Sequence, residues 1–199
     1  MIYLASRSPR RQELLTQIGV PFQTLLFRAG DRTDPEVDEH VLPNESPLHY
    51  VERVALAKAA HGVRLLQYRG LPVFPVLSAD TTLDLDGQII GKPESDTEAH
   101  LILRSLSGRT HRVLTAVAVS HQGNIHSVVN VSEVRFRMLS NSDIQRYLTT
   151  GEHRDKAGAY GIQGYAGMFV EHISGSYTGI MGLPLCDTEL LLRKFTDNS

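Results

Sequence analysis

The chain opens on Ile2-Tyr3-Leu4-Ala5, an apolar run of strand length, and turns at once into a helical pattern, with apolar residues at helical spacing from Gln12 to Ile18. Ser8 suits the N-cap position and Pro9 the first helical position. This strand-then-helix unit commits the N-terminus to an α/β arrangement and places Arg10 and Arg11 in the first turn of the helix. Two guanidinium groups there oppose the helix dipole, and the free backbone amides of a helix start already favour an anion. Ser6-Arg7-Ser8-Pro9-Arg10-Arg11 therefore reads either as a solvated basic turn or as a phosphate-binding one, because Arg makes bidentate bonds to phosphate oxygens.

Strand-like and helix-like segments then alternate without repeats or low-complexity linkers, as expected for one α/β domain over residues 1–199. Phe22 to Phe27 reads as a strand, and Arg28 to Glu45 as a long polar loop. Ser46-Pro47 opens a helix that the pattern ends at about Gly62. Val73 to Ala79 is a continuous apolar run, the mark of a buried strand, and Asp86-Gly87 is a hairpin signal between Thr82–Leu85 and Gln88–Ile90. Ser95 with Glu98 predicts a capped helix ending at Gly108. A long hairpin is expected around Gln122-Gly123-Asn124, then a short helix capped by Ser140 and a last one from Pro184 to Phe195.

Composition excludes several classes. Of 199 residues, 41% are hydrophobic and 21% charged, with a net charge of −2, so neither disorder nor a broad basic surface for duplex nucleic acid is indicated. No apolar run approaches the roughly 20 residues of a bilayer-spanning helix, and no signal peptide is evident, which predicts a cytoplasmic protein. The single Cys186 has no internal disulfide partner and is expected to fill a small buried site. The nine histidines show no zinc spacing. P-loop, dinucleotide and Gly-x-Ser-x-Gly patterns are absent.

The remaining chemistry lies where elements meet. Asp80 ends the apolar Val73–Ala79 run, where a carboxylate either caps a turn or serves a ligand site at the mouth of the sheet. Thr81 adds a hydroxyl beside it. Asp38-Glu39 offers oxygen ligands of the kind that suit Mg²⁺ or Mn²⁺. Lys58 lies on an otherwise small and apolar helix face, Lys92 sits between Gly91 and Pro93, and Lys156 opens the stretch Asp155-Lys156-Ala157-Gly158-Ala159-Tyr160-Gly161-Ile162-Gln163-Gly164. Glycine and alanine there would let backbone approach a ligand. Each of these residues taken singly reads first as a turn cap, a surface charge or a loop residue.

Together, the Ser6–Arg11 segment, Ser78-Ala79-Asp80-Thr81, Gly91-Lys92-Pro93, Ser107-Gly108 with His111 and Thr115, Asp155 to Gly164, and Gly182-Leu183-Pro184 resemble the Maf-like nucleoside triphosphate pyrophosphatases in order and spacing. The resemblance covers nearly the whole chain. It implies an elongated mixed-sheet α/β fold, similar to the inosine triphosphate pyrophosphatases, with two lobes around a central cleft and a tendency to form homodimers. It also implies hydrolysis of a nucleoside triphosphate to monophosphate and pyrophosphate with a divalent cation. Arg10, Thr81 and Gln163 match positions of the dTTP and UTP subgroup, and an amide such as Gln163 can pair with the imide edge of uracil or thymine. Asp80 is then the expected catalytic base or metal ligand, with Glu39 helping to hold Mg²⁺ or Mn²⁺. Ser6, Arg10, Arg11, Lys58, Thr81, Lys92, Lys156 and Gln163 are the expected substrate contacts. A rival reading is a non-catalytic nucleotide-binding regulator of cell division and septum formation. Arg7, Ser78 and Thr82 depart from the family pattern.

Overall fold

The computed structural model describes residues 1–26 and 37–196, the side chain of Thr196 excepted. Among the described residues, seven strands form one mixed sheet: β1 (Ile2–Leu4), β2 (Phe22–Thr24), β3 (Val76–Leu85), β4 (Gln88–Ile90), β5 (Thr110–His121), β6 (Asn124–Phe136) and β7 (Val170–Ser174). Their order is β2-β1-β3-β5-β6-β7, with β4 also on β3. The pairs of β1 with β2 and β3 are parallel; the rest are antiparallel. The helices are α1 (Pro9–Gln17), α2 (Pro47–Arg69), α3 (Asp96–Leu106), α4 (Asn141–Leu148), α5 (Tyr177–Ile180) and α6 (Leu185–Thr196). None is long and apolar enough to cross a membrane.

One edge of β3 carries two partners in succession. β1 pairs at Val76 and Leu77, and β4 pairs at Leu83 to Leu85, so residues 78–82 have no strand beside them on that edge among the described residues. The apolar core divides at the same place. On one side of the gap, α2 lays Val51, Ala55 and Ala59 on Leu114, Ala116 and Ala118, while Leu14, Leu15, Leu191 and Leu192 from α1 and α6 cover Leu77, Ala79, Val117 and Val119 on the opposite sheet face. On the other side, α3, α4 and residues 159–169 bury Leu83, Val134 and Phe136. The result is the expected α/β fold with two lobes flanking a cleft.

Several boundaries differ from expectation, each for a local reason. Asp80 does not end a strand: β3 runs through it to Leu85, because the open edge lets a carboxylate sit mid-strand beside the cleft. Gly62 does not end α2, which continues to Arg69 and stops at Gly70, a left-handed C-cap at φ 61°. Gly62 instead lets the helix touch the sheet, since an added Cβ would lie 2.7 Å from Val76 Cγ1. The strand read as Phe22 to Phe27 ends at Thr24, and Phe27 and the loop from Arg28 to Glu36 lie outside the described residues. Ser95 accepts from the Glu98 amide, yet Glu98 turns to the Glu94 amide, whereas Ser140 and Asp143 form a full capping box. Ser8 sits at the N-cap of α1 without a side-chain cap bond. Cys186 is exposed, not buried. β7 and α5 carry no clear pattern of their own and were not expected.

Beneath the second lobe, His111 is buried on β5, 2.8 Å from Tyr160 Oη, with Phe136 edge-on at 5.0 Å. Burial pushes its imidazole down to about 4 and pushes the Tyr160 phenol up. An unfolded histidine takes a proton near 6.5 and this one only near 4, so unfolding binds a proton between those values. Stability should fall as the pH drops from about 6.5 to about 4. In denaturant titrations at pH 7 and pH 4.5, His111→Gln should lose about 2 to 3 kcal/mol less than wild type; equal losses would remove His111 as the cause. Gly62→Ala gains about 1 kcal/mol of helix propensity but should still lower the melting temperature, because overpacking against Val76 costs about 1–3 kcal/mol.

Candidate active site

The alternation of side chains along β3 distributes the site between two sheet faces. Ser78 and Asp80 point toward α2, where the Ser78 hydroxyl donates to the Ala55 carbonyl at 2.7 Å and the Lys58 ammonium donates to Asp80 Oδ1 at 2.8 Å. Ser78, one departure from the family pattern, thus fastens sheet to helix. Ala79 and Thr81 point to the opposite face, toward α1 and the segment around α5.

Arg11 fills the gap in the β3 edge. Its Nη1 donates to the Ala79 carbonyl at 2.7 Å and to Ser6 Oγ at 3.2 Å, its Nη2 to Thr81 Oγ1 at 3.1 Å, and its Nε to the Gly182 carbonyl at 2.8 Å. The relay continues: Thr115 Oγ1 donates to the Gly179 carbonyl at 2.8 Å, so the 2.9 Å contact between the two threonine hydroxyls has Thr81 as donor. One guanidinium thereby joins the β1–α1 turn, β3 and the chain before α6. Burial lowers its pKa, offset in part by the charges of Asp80 and Glu39.

Arg10, one residue earlier, has the opposite surroundings. It forms no hydrogen bond or ion pair among the described residues, and its guanidinium rests on Gly161, where an added Cβ would meet Arg10 Nη2 at 3.0 Å and Lys156 Cε at 3.1 Å. Burial lowers the pKa of both cations, and Arg10 lowers that of Lys156 further. Lys156 is tied to the Glu152 carbonyl. Two crowded, partly desolvated cations with no carboxylate bonded to them among the described residues are chemically suited to hold an anion. The segment that carries Lys156 and Gln163 is fixed by Gly158, which at φ 69° leaves no room for a Cβ against Leu83 and donates its amide to the Gly91 carbonyl at 2.9 Å. That bond also draws in Lys92, the next residue.

Glu39 reaches the site from the loop before α2. Arg53 clamps this loop by donating to the carbonyls of Asp38 and His40, at 3.2 and 2.8 Å, and by a two-pronged bond to Glu45 at 2.6 and 2.9 Å. The Arg53 bond holds the Glu45 carboxyl down at about 2. Tyr50 donates to the Glu39 carbonyl at 3.0 Å, and nearby Asp80 and Glu39, after burial, push its phenol up to about 12. Glu39 Oε1 then lies 2.9 Å from the same Lys58 ammonium that holds Asp80.

A cleft of about 1550 Å³ gathers Ser6, Arg10, Arg11, Glu39, Lys58, Lys92, Lys156 and Gln163. A smaller cavity shares Arg10, Arg11, Lys58, Lys92 and Lys156 with it and adds Asp80 and Thr81, with Leu83, Val113, Tyr160 and Met181 as an apolar side. All the residues expected from the sequence to contact substrate or cation therefore line these two cavities, which share several of them. No motif marks Tyr50 and Arg53, which hold the Glu39 loop, or the Glu152 and Gly182 carbonyls, which accept from Lys156 and Arg11. Gly182 meets Arg11 from 171 positions away, and the contacts of Tyr50 and Arg53 cross irregular chain that has no helical or strand period to reveal them. Thr115 was legible only through the family resemblance.

Asp80 and Glu39 form a hard-oxygen pair that with substrate phosphates matches the way Mg²⁺ is usually bound, by one or two carboxylates and phosphate oxygens. Among the described residues no group of three or more His, Cys, Asp or Glu gathers to hold an ion without such help.

The Maf-like protein family matches residues 1–195. The dTTP/UTP pyrophosphatase of Dechloromonas aromatica is 58% identical over 193 residues, 97% of this chain and 96% of the relative. That of Aromatoleum aromaticum is 60% identical over 195 residues, 98% and 95% of the two chains, and that of Ralstonia nicotianae 55% over 194 residues, 97% and 93%. Among solved structures, the Staphylococcus aureus Ham1 protein aligns over 68% of this chain and 71% of its own at 15% identity, with a TM-score of 0.47. With its cleft between two lobes, its basic first helical turn and a match that runs from Met1 to Phe195, the chain belongs to the Maf-like protein family.

Proposed function

We propose that this protein hydrolyses dTTP and UTP to the monophosphate and pyrophosphate, as a cytoplasmic enzyme of nucleotide pools. The observation that carries the reading is the pairing, in one cleft, of partly desolvated cations to which no carboxylate is bonded among the described residues with a carboxylate that keeps one oxygen free. Asp80 Oδ1 is bonded to Lys58, while Oδ2 has no hydrogen-bond partner among the described residues. Relatives that align over almost their full length carry the name dTTP/UTP pyrophosphatase, which supports the same conclusion.

The geometry suits displacement at the α-phosphorus. Water positioned by Asp80 Oδ2 attacks phosphorus, its proton passes to that carboxylate, and the bond to the β-phosphate oxygen breaks to release pyrophosphate. Arg10, Lys92 and Lys156 neutralise charge on the phosphate oxygens, and positioning with charge stabilisation supplies most of the catalysis in such transfers. Asp80 and Glu39 are the residues that would hold a divalent cation, which when bound supplies Lewis-acid neutralisation and a more acidic water. Gln163, exposed in the cleft wall, offers a donor and an acceptor to the base, while Thr81, engaged by Arg11 and Thr115, acts through the shape of the pocket.

Purified protein with Mg²⁺ should release pyrophosphate, not orthophosphate, from dTTP and UTP, and Asp80→Asn should lower kcat by about 10²-fold or more. Near wild-type turnover by that variant would overturn the role of Asp80. The two adjacent arginines should separate cleanly. Arg10→Gln should raise KM for dTTP with little change in melting temperature, because its guanidinium forms no hydrogen bond or ion pair among the described residues. Arg11→Gln should cost about 2–4 kcal/mol of stability as well as activity, since it leaves several acceptors unpaired. Steady-state kinetics beside thermal unfolding checks both, and an Arg10 variant as unstable as the Arg11 one would contradict this division.

A further inference from the structure

We propose that Lys58 is a resident counter-ion, which holds the place of the divalent cation between Asp80 and Glu39 and is displaced onto substrate phosphate when the cation binds. The inference rests on the function proposed above and concerns the same cleft. Its basis is that two carboxylates from separate segments converge on one ammonium, at 2.8 Å from Asp80 Oδ1 and 2.9 Å from Glu39 Oε1. Neither carboxylate depends on that ammonium for its backbone position. Asp80 is set by the pairing of β3 with β5, opposite Ala116. Glu39 is set by Tyr50 and by the Arg53 clamp on its two neighbours.

A divalent cation and an ammonium cannot both sit between the same two oxygens, because like charges at that separation repel strongly. Lysine suits the exchange: its charge is compact, its stem is flexible, and its three donors need no fixed plane, unlike those of Arg11. Lys58 lines both the main cleft, beside Arg10, Lys92 and Lys156, and the smaller cavity that holds Asp80. A short swing moves its charge from the carboxylates to an incoming phosphate. Each ligand then prepares the protein for the other: the cation frees the ammonium, and the phosphate receives it. Linkage requires the effect to be mutual, so cation and nucleotide should bind cooperatively through this one side chain.

The test is Mn²⁺ binding to the full chain without nucleotide, followed by the electron paramagnetic resonance of the free ion. Lys58→Gln should bind Mn²⁺ at least about tenfold more tightly than wild type. Lys92→Gln removes an equal charge from the same cleft without touching Asp80 and should change the affinity less than about threefold. Equal or weaker binding by Lys58→Gln, or equal tightening by Lys92→Gln, overturns the proposal. A wild-type measurement stands beside the variants: saturating Mg²⁺ alone should move the ¹⁵N resonance of the Lys58 ammonium to the position of a solvated lysine, and an unmoved signal also overturns it. Pyrophosphate release from dTTP or UTP by the wild type separates the two readings. If release occurs and the Mn²⁺ result fails, the counter-ion role alone falls; if no release occurs, the enzymatic reading falls.

Discussion

The structure turns on the interval of β3 edge between the end of β1 and the start of β4. A sheet edge left open exposes backbone groups that must be satisfied, and here a side chain takes one of them, the Ala79 carbonyl, in place of a strand. Arg11 enters the interval, takes the Ala79 carbonyl and the Thr81 hydroxyl, and reaches back to Ser6 and across to Gly182. The opening thus becomes a cleft with fixed walls. The planar fork of arginine matters, because its donors diverge toward four acceptors from three segments at once, which an ammonium cannot reproduce.

From that opening follows the division of labour around Asp80. Consecutive residues of β3 face opposite sides of the sheet, so Asp80 meets the lysine of α2 while Thr81 meets the hydroxyl of Thr115 and the arginine of α1. A carboxylate in mid-strand would be costly to bury, yet here it borders the cleft and has a bonded cation. The neighbouring Arg10 and Lys156 are arranged otherwise: they crowd each other over Gly161 without a carboxylate bonded to either among the described residues. One pair of charges is satisfied within the protein, and the other leaves two cations suited to an anion.

Much of the fold was legible from local pattern. The hairpin at Asp86-Gly87 follows from two residues that adopt positive φ, 56° and 85°, and the turn at Gln122-Gly123 follows in the same way. Caps at Ser95 and Ser140 marked helices correctly because an N-cap hydroxyl acts within three residues of itself. The errors share a cause. Gly62 looked like a helix stop because its reason for being glycine is Val76, fourteen residues away, and Asp80 looked like a strand end because nothing local reveals which edge of a strand is open.

The sequence by itself determined the alternation of strand and helix, the basic first turn of α1 and the set of residues able to do phosphate chemistry, since these depend on spacing and side-chain type alone. Only the tertiary structure decided what each of those residues does. It separated Arg10 from its neighbour Arg11, giving one to the cleft and the other to the backbone of the protein, and it set Asp80 and Glu39 on one shared ammonium. The physical reason is that the partners of a charge are chosen by which chain segments the sheet and its helices bring within hydrogen-bonding distance, and those segments lie up to 171 positions apart, as Arg11 and Gly182 do.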